Sequence, residues 1–342
     1  AGQTQSKCVR CFNKPLQTKN MKALRFNALL KTTIWGGNEV TALKQLPHAP
    51  KNVGESWEIS GVPGNETLVS EGEFKGKTLG QLIEQFGAKL VGHRNFSRYG
   101  TTFPLLIKFI SAAEDLSIQV HPDDAMAQRM GHPYGKTEMW YIVRTEPGAS
   151  LCSGFNADFS ADGYTQSLAD GSLMNHLSRH ETHPGDCFFI PAGRIHSIGA
   201  GNFLVEIQQS SNDTFRVYDF DRTDSQGNKR ELHVAQAREA LDYKAYPEYR
   251  TNYTLRPNGL TPLVRCEQFT TRLYELTEAV KADYAFIDSF IILIAFEGEA
   301  LLRYDEGEIK LCAGQTVMFP ATTTGVEIIP GTQGFKALET FC

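Results

Sequence analysis

One pattern occurs twice in this chain and constrains its fold more than any other feature. From Gly185 to His196 the sequence runs turn glycine, five-residue strand, proline, then a glycine and a final histidine. From Gly314 to Gly325 it begins in the same way, but Thr322 and Gly325 replace that second glycine and the histidine. A repeated strand unit of this kind predicts two similar β-structures, with chemistry kept only in the first.

The rest of the chain also favours β-structure. Glycine and proline punctuate it about every ten residues and separate short apolar runs rich in Val, Ile, Phe and Tyr. Such runs are typical of a sandwich or closed barrel rather than of alternating βαβ units. We therefore expect a mainly β fold of two jelly-roll β-barrels with a few peripheral helices. Apolar spacing places helices near residues 78–91, 123–130 and 231–241.

Three segments are expected along the chain. Residues 1–20 have no apolar signal core and are expected to be a lead that is either disordered or foreign to the natural protein. Residues 21–245 should form a catalytic, metal-binding domain with helical additions, and residues 246–342 a degenerate, metal-free copy. The boundary falls in residues 243–262, where Tyr, Pro, Asn and Arg interrupt any periodicity.

Charge and hydropathy argue against two classes of partner. The net charge is −5, with 34 Lys and Arg against 39 Asp and Glu spread along the chain, so no basic stripe is offered to nucleic acid. The longest apolar runs fall short of the ~20 residues that a membrane-crossing helix needs. We expect a small-molecule partner, no nucleic acid and no membrane. The sequence leaves the oligomeric state open.

The cysteines are scattered along the chain. There are seven, an odd number without the spacing of a disulfide framework, which favours free thiols and a cytoplasmic location. Cys8 and Cys11 form a CxxC pair that could begin a zinc ribbon. No second closely spaced pair of Cys or His follows to complete four ligands, so we do not expect one.

Four residues form a candidate metal site: Gln119, His121, Glu138 and His196. Alternation along an extended segment puts Gln119 and His121 on one face, so both can reach the same ion. Glu138 opens an apolar and aromatic strand, where a carboxylate needs a partner. His196 follows a Pro-Ala-Gly turn that can project its imidazole into the barrel mouth. A lone strand histidine is more often structural, but this ordered combination predicts a bound metal.

Zinc is the metal that this ligand set suits best. Two histidine nitrogens with two oxygens, leaving a position open, are typical of a catalytic rather than a structural zinc site. We expect one ion per chain. Manganese, cobalt or iron could occupy the same ligands, because selectivity among these metals rests on geometry and availability.

The chain resembles a known family in four segments: residues 105–110, 116–124, 135–141 and 212–219. In them, and in a Trp-Gly-Gly near residue 35, the chain resembles the short bacterial form of type I mannose-6-phosphate isomerase, of the cupin superfamily. The resemblance extends from about residue 21 to 239 and more loosely to the end. It implies two cupin-like barrels and a zinc-dependent interconversion of mannose 6-phosphate and fructose 6-phosphate through an enediol. Larger members carry a helical domain that this chain is too short to contain.

The resemblance also implies roles for individual residues. It maps the family's metal ligands onto the four residues named above and its catalytic arginine onto Arg216, which we expect to stabilise the enediolate. For substrate binding, the sequence offers four further side chains: Lys136, Lys108, Ser117 and Arg194. The base that transfers the proton stays open between Glu206, Lys136, a zinc-bound water and Arg216.

Two alternatives to this function remain at the level of sequence. One is a cupin that binds a sugar without turning it over, and the other is an isomerase of a different or unphosphorylated aldose. Arg216 and Lys136 together favour catalysis on an anionic substrate. Formation of fructose 6-phosphate from mannose 6-phosphate, measured with and without a chelator, would separate the three.

Overall fold

The fold is known from a computed structural model that describes residues 21–223 and 226–342. The lead predicted for residues 1–20 lies outside the described residues. The strands are β1 Phe26–Asn27, β2 Leu29–Thr32, β3 Val53–Ser60, β4 Leu68–Val69, β5 Leu105–Ser111, β6 Ile118–Val120, β7 Glu138–Thr145, β8 Ser150–Phe155, β9 Leu177–Glu181, β10 Cys187–Ile190, β11 His196–Ile198, β12 Asn202–Gln209, β13 Phe215–Tyr218, β14 Leu260–Arg265, β15 Thr270–Leu276, β16 Val280–Asp283, β17 Ile291–Tyr304, β18 Gly307–Cys312, β19 Thr316–Phe319 and β20 Gly325–Phe341. The helices are α1 Glu39–Leu43, α2 Leu79–Phe86, α3 Ala88–Val91, α4 His93–Tyr99, α5 Asp124–Arg129, α6 Ala161–Ala169 and α7 Val234–Ala240, with one 3₁₀ turn at Leu173–His176.

The strands form two lobes. The first lobe has a six-stranded sheet, β10-β7-β12-β5-β3-β2, and a five-stranded sheet, β13-β6-β11-β8-β9, while β1 pairs with β4. The second lobe is a seven-stranded sheet, β14-β15-β20-β17-β18, with β16 on β20 and β19 on β17. The mainly β prediction is confirmed. The two jelly-roll barrels are not, because no pairing among the described residues joins the edge strands of any sheet into a closed ring.

The repeat seen in the sequence produces the same local structure in both lobes. A glycine with positive φ, Gly185 (93°) or Gly314 (82°), turns the chain into a short strand, β10 or β19. In the first copy Gly193 also has a positive φ of 86°, which a side chain with a Cβ disfavours. The second copy keeps a turn here, closed by a hydrogen bond from the Thr323 amide to the Pro320 carbonyl oxygen, but Thr322 adopts it without a positive φ.

Each of the predicted helices exists, with altered bounds. The helix expected at residues 78–91 is divided into α2 and α3 by Gly87, whose φ is 52°. Thr78 caps α2 in a reciprocal capping box with Gln81, a strong start signal. Asp123 caps α5 by accepting a hydrogen bond from the Met126 amide.

Strand β5 separates the apolar core from a polar interior. Ile107 and Phe109 belong to the largest core cluster, which also contains Phe290 and Ile294 of the second lobe. Lys108 points to the other face, where its ammonium pairs with Glu206 of β12. Strand alternation therefore gives the six-stranded sheet one face for packing against the second lobe and one face that encloses buried polar groups.

No helix among the described residues is long and apolar enough to cross a membrane. The five described cysteines are free thiols.

Candidate metal centre

Three of the predicted ligands meet between the two sheets of the first lobe. His121 follows β6, and His196 opens β11, the neighbouring strand of the five-stranded sheet. Glu138 opens β7 in the six-stranded sheet. One donor atom from each of these residues lies within 4.8 Å of the other two, and all three side chains are buried. Two histidines and one carboxylate are thus brought together from strands that are remote in sequence.

The imidazoles present their unprotonated nitrogens to one another. His196 Nδ1 lies 2.7 Å from the Arg194 carbonyl oxygen, to which it donates its proton, so its lone pair is on Nε2. That Nε2 lies 3.1 Å from His121 Nε2 and 3.5 Å from a Glu138 carboxylate oxygen. The other Glu138 oxygen is 3.4 Å from His121 Nε2. Three electron-rich atoms therefore converge on one point.

Protonation states in the cluster suit metal binding. Burial, with Lys136 as a second cause, lowers the pKa of His121 to about 3, and burial also lowers the pKa of His196. Burial alone would raise the pKa of Glu138, but the nearby Lys136 ammonium holds it well below its ordinary value. Two neutral imidazoles and an ionised carboxylate are the donor forms that a divalent metal requires.

Unpaired buried atoms provide a direct test of whether a metal fits. Neither carboxylate oxygen of Glu138 has a partner in hydrogen-bonding geometry, and neither does His121 Nδ1, among the described residues. Lys136 Nζ lies 2.9 Å from both His121 Nε2 and Glu138 Oε2, but it does not satisfy both carboxylate oxygens. A buried carboxylate without hydrogen bonds is costly. A cation among these three donors would remove that cost, so the residues fit a divalent metal.

Gln119 and Arg216 extend the site along the five-stranded sheet. Gln119 of β6 is opposite His196 on one side and Arg216 of β13 on the other. Residues directly opposite in a sheet point to the same face. Because neighbouring strands are ~4.8 Å apart, Arg216 lies about 10 Å from His196 along the sheet. Gln119 between them stays a predicted fourth ligand.

Arg216 has no counter-ion among the described residues. Its Nη1 donates to the Glu231 carbonyl oxygen at 2.9 Å. Asp219, the nearby carboxylate, is already paired with Arg222 at 2.6 Å and with Arg230. Burial and the charge of Arg230 lower the pKa of Arg216, which stays cationic because guanidinium is protonated at any physiological pH. Its charge is available to an anionic ligand.

Lys108 is buried in an ion-paired position. Its ammonium lies 3.0 Å from Glu206 and 3.7 Å from Glu55, above the ring of Trp57. Burial alone would lower the pKa of Lys108, but the two carboxylates raise it. These ion pairs already balance its charge. Lys136, which contacts the metal cluster, is better placed than Lys108 to bind substrate. Ser117, another predicted substrate-binding residue, is buried just before β6.

Arg194 is held away from solvent by two tyrosines. Its guanidinium stacks on Tyr246 at 4.8 Å and on Tyr249 at 4.7 Å, and its carbonyl oxygen fixes the tautomer of His196. These contacts favour a positioning role for Arg194. Substrate binding by this residue stays a prediction, and the structure offers less support for it than for Lys136.

Replacing Tyr249 by phenylalanine is expected to lower the free energy of unfolding by about 1–2 kcal/mol. Its buried hydroxyl donates to the Phe155 carbonyl oxygen at 2.7 Å, which the change leaves unpaired. Tyr246→Phe is a matched control, because that hydroxyl donates to Asp242 at the surface and its loss should cost less than about 0.5 kcal/mol. Urea denaturation followed by circular dichroism compares them, and equal losses would contradict the role given to the Tyr249 hydroxyl.

Two polar residues of the interior were missed by the sequence analysis. Gln208 of β12 and Ser153 of β8 are fully buried, and Gln208 Oε1 and Ser153 Oγ have no hydrogen-bond partner among the described residues. Ser153 is directly opposite His196. A polar residue at every second position of β12, starting at Glu206, was the available signal for Gln208. Ser153, one of two serines in β8, gave none.

Known proteins share both the sequence and the fold. Residues 23–142 match the family model for the catalytic domain of type I phosphomannose isomerase. The chain is 34% identical to a mannose-6-phosphate isomerase of Streptococcus mutans over 291 residues, 84% of this chain and 89% of the relative. It is 32% identical to mannose-6-phosphate isomerase ManA of Bacillus subtilis, over 87% of this chain and 92% of the relative. A crystal structure of a mannose 6-phosphate isomerase from Bacillus subtilis superposes with a TM-score of 0.83, at 31% identity, covering 94% of this chain and 99% of that one.

Proposed function

The chain belongs to the mannose-6-phosphate isomerases, and we propose that it interconverts mannose 6-phosphate and fructose 6-phosphate. We place the reaction at the His121–Glu138–His196 cluster, with one bound zinc ion. As a member of this family it is an aldose–ketose isomerase. The observation that carries the metal assignment is the buried Glu138 carboxylate, which faces two imidazole lone pairs and has only the Lys136 ammonium beside one of its oxygens. Gln119 would add a fourth ligand.

Isomerisation moves a proton between C1 and C2 of the sugar through an enediolate. When bound, zinc supplies Lewis acidity toward the sugar oxygens. Arg216, uncompensated and on the same sheet face as His196, would hold the negative charge that develops on oxygen. Its fixed place in a strand means that little reorganisation is needed when that charge appears.

Glu206 and Lys136 remain the two protein groups best placed to carry the proton. Burial raises the pKa of Glu206, and the nearby Glu138 charge adds to the effect, which moves a carboxyl toward the range useful for a base at neutral pH. Trp140 donates to one of its oxygens at 2.9 Å and orients it. Lys136 lies closer to the metal cluster, at 2.9 Å from His121.

We assign the chemistry to residues 21–245 and a supporting role to residues 246–342. Residues 262–342 contain no histidine, and the Phe290 ring of the second lobe packs against Phe103 of the first at 4.8 Å. We further propose that both lobes are open forms of the cupin jelly roll. The scattered, odd set of cysteines supports a cytoplasmic location.

A coupled assay tests the proposed reaction. The purified chain should form fructose 6-phosphate from mannose 6-phosphate, lose at least ~95% of its activity after dialysis against a chelator, and recover it with zinc. Metal analysis should find about one ion per chain. A folded, zinc-loaded chain that does not turn over mannose 6-phosphate would contradict the substrate, and full activity without metal would contradict the zinc assignment.

A further inference from the structure

A cavity lies where the two lobes meet, away from the residues of the metal centre. It has a volume of about 630 Å³ and is bounded by α4 of the first lobe and by β14, β15 and the end of β20 in the second. This size falls in the range of small-molecule sites. None of its lining residues belongs to the proposed catalytic centre.

The cavity carries an excess of positive charge. Four arginines line it: Arg94, Arg98, Arg265 and Arg272. Arg98 is paired with Glu267 at 2.8 Å and Arg272 with Glu339. Arg94 and Arg265 form no ion pair among the described residues. Guanidinium groups present a planar fork of donors that matches phosphate oxygens.

Apolar groups form the rest of the wall. Phe269, Ile287 and Phe341 line the cavity, and the Arg272 guanidinium stacks on the Phe341 ring at 4.7 Å. An apolar surface bordered by unpaired arginines suits an organic body that carries phosphate better than a free inorganic ion. We propose that this cavity binds a small organic phosphate and that its occupation alters the catalytic centre.

Arg98 connects the cavity to the catalytic centre. Its Nη2 is 4.0 Å from Asp124 Oδ2. The other oxygen of that carboxylate, Oδ1, accepts hydrogen bonds from the Gly135 amide and the Gln209 side chain, both at 2.8 Å. Gly135 immediately precedes Lys136. A phosphate that draws Arg98 toward the cavity would therefore change the electrostatic support of the segment that carries Lys136.

Binding is tested without any turnover, so that its failure is distinct from failure of the proposed reaction. Adenosine monophosphate and inorganic phosphate would each be titrated calorimetrically into the zinc-loaded full chain. We expect adenosine monophosphate to bind the wild type more tightly than phosphate does. In the Arg94→Gln/Arg265→Gln double variant its Kd should rise at least about tenfold. Arg256 is an exposed arginine outside the cavity, so Arg256→Gln is the matched control and should bind as the wild type does.

Two outcomes of the titration would contradict the proposal that this cavity binds an organic phosphate. One is no binding of adenosine monophosphate to the wild type. The other is an equal Kd in the double variant, which would place the ligand elsewhere, including the catalytic pocket. Circular dichroism checks that the double variant is folded.

The effect on catalysis rests on the proposed function and needs the isomerase assay. Saturating adenosine monophosphate should change kcat/KM for mannose 6-phosphate by about fivefold in the wild type, and should have no effect on the double variant. An effect that persists in the double variant would show competition at the catalytic pocket. No effect in the wild type, despite binding, would overturn the connection through Arg98.

Discussion

Replacing His121 by alanine is expected to reduce bound zinc from about one ion per chain to almost none and to lower turnover about a thousandfold or more, ~4 kcal/mol of barrier. The side chain is one of three donors that meet within 4.8 Å. Its removal leaves Glu138 and His196 with an incomplete set. His196→Ala should behave in the same way, because its Nε2 is the second imidazole donor.

The measurement is metal content by mass spectrometry together with the coupled assay on the same sample. His183→Ala is the matched control, since that histidine is exposed and lies outside the cluster, and it should keep both zinc and activity. Full zinc occupancy in folded His121→Ala would remove His121 from the ligand set. Circular dichroism distinguishes loss of metal from loss of fold.

The strands of this fold could be predicted because short apolar runs bounded by turn residues indicate strands from local sequence alone. The apolar runs at 139–143 and 203–208 became β7 and β12, and the turn glycines Gly185 and Gly314 have the positive φ that the repeat required. The His-Glu-His cluster was also predictable. Glu138 was identified because a carboxylate on an apolar strand requires a partner. His121 was identified by its alternation with Gln119, and His196 by the Pro-Ala-Gly turn before it.

Pairing between strands could not be predicted in this way, because it depends on contacts between distant segments. β20 runs for 17 residues and contains Pro330, Gly331 and Gly334 in its interior, residue types that normally end a strand. Register shifts in its partner β17, at Ala295/Glu297 and Gly298/Ala300, accommodate them. The expected barrels are not confirmed, because the sequence carries no local signal of which strand edges pair.

The roles of charged residues depend on the same distant contacts. Lys108 was predicted as a substrate ligand because a charge in an apolar strand needs a reason. The reason in the structure is a pair of carboxylates, Glu55 and Glu206, from the two strands that flank β5. Tyr246 and Tyr249, which pack on Arg194, follow it by about fifty residues. No local pattern near Arg194 indicates these contacts.

Arg216→Lys is expected to leave folding and zinc content nearly unchanged while lowering kcat about a hundredfold or more. A donor aimed at developing negative charge contributes ~3 kcal/mol to the barrier, and each 1.36 kcal/mol is a factor of ten. Lysine keeps the positive charge but replaces a planar fork with a compact ammonium on a different stem. The hydrogen bond from the guanidinium to the Glu231 carbonyl oxygen, which helps fix its direction, is lost as well.

Arg230→Lys provides a comparison for this variant, because Arg230 is a neighbouring arginine already paired with Asp219, and it should change kcat by less than about threefold. Steady-state kinetics on zinc-loaded protein decide between two roles for Arg216. If it stabilises the enediolate, kcat and kcat/KM fall together. If it grips the substrate phosphate equally in the ground and transition states, KM rises and kcat holds. An unaltered kcat would therefore remove Arg216 from catalysis and assign it to substrate binding, because its unpaired charge would then contribute only to affinity for the substrate phosphate.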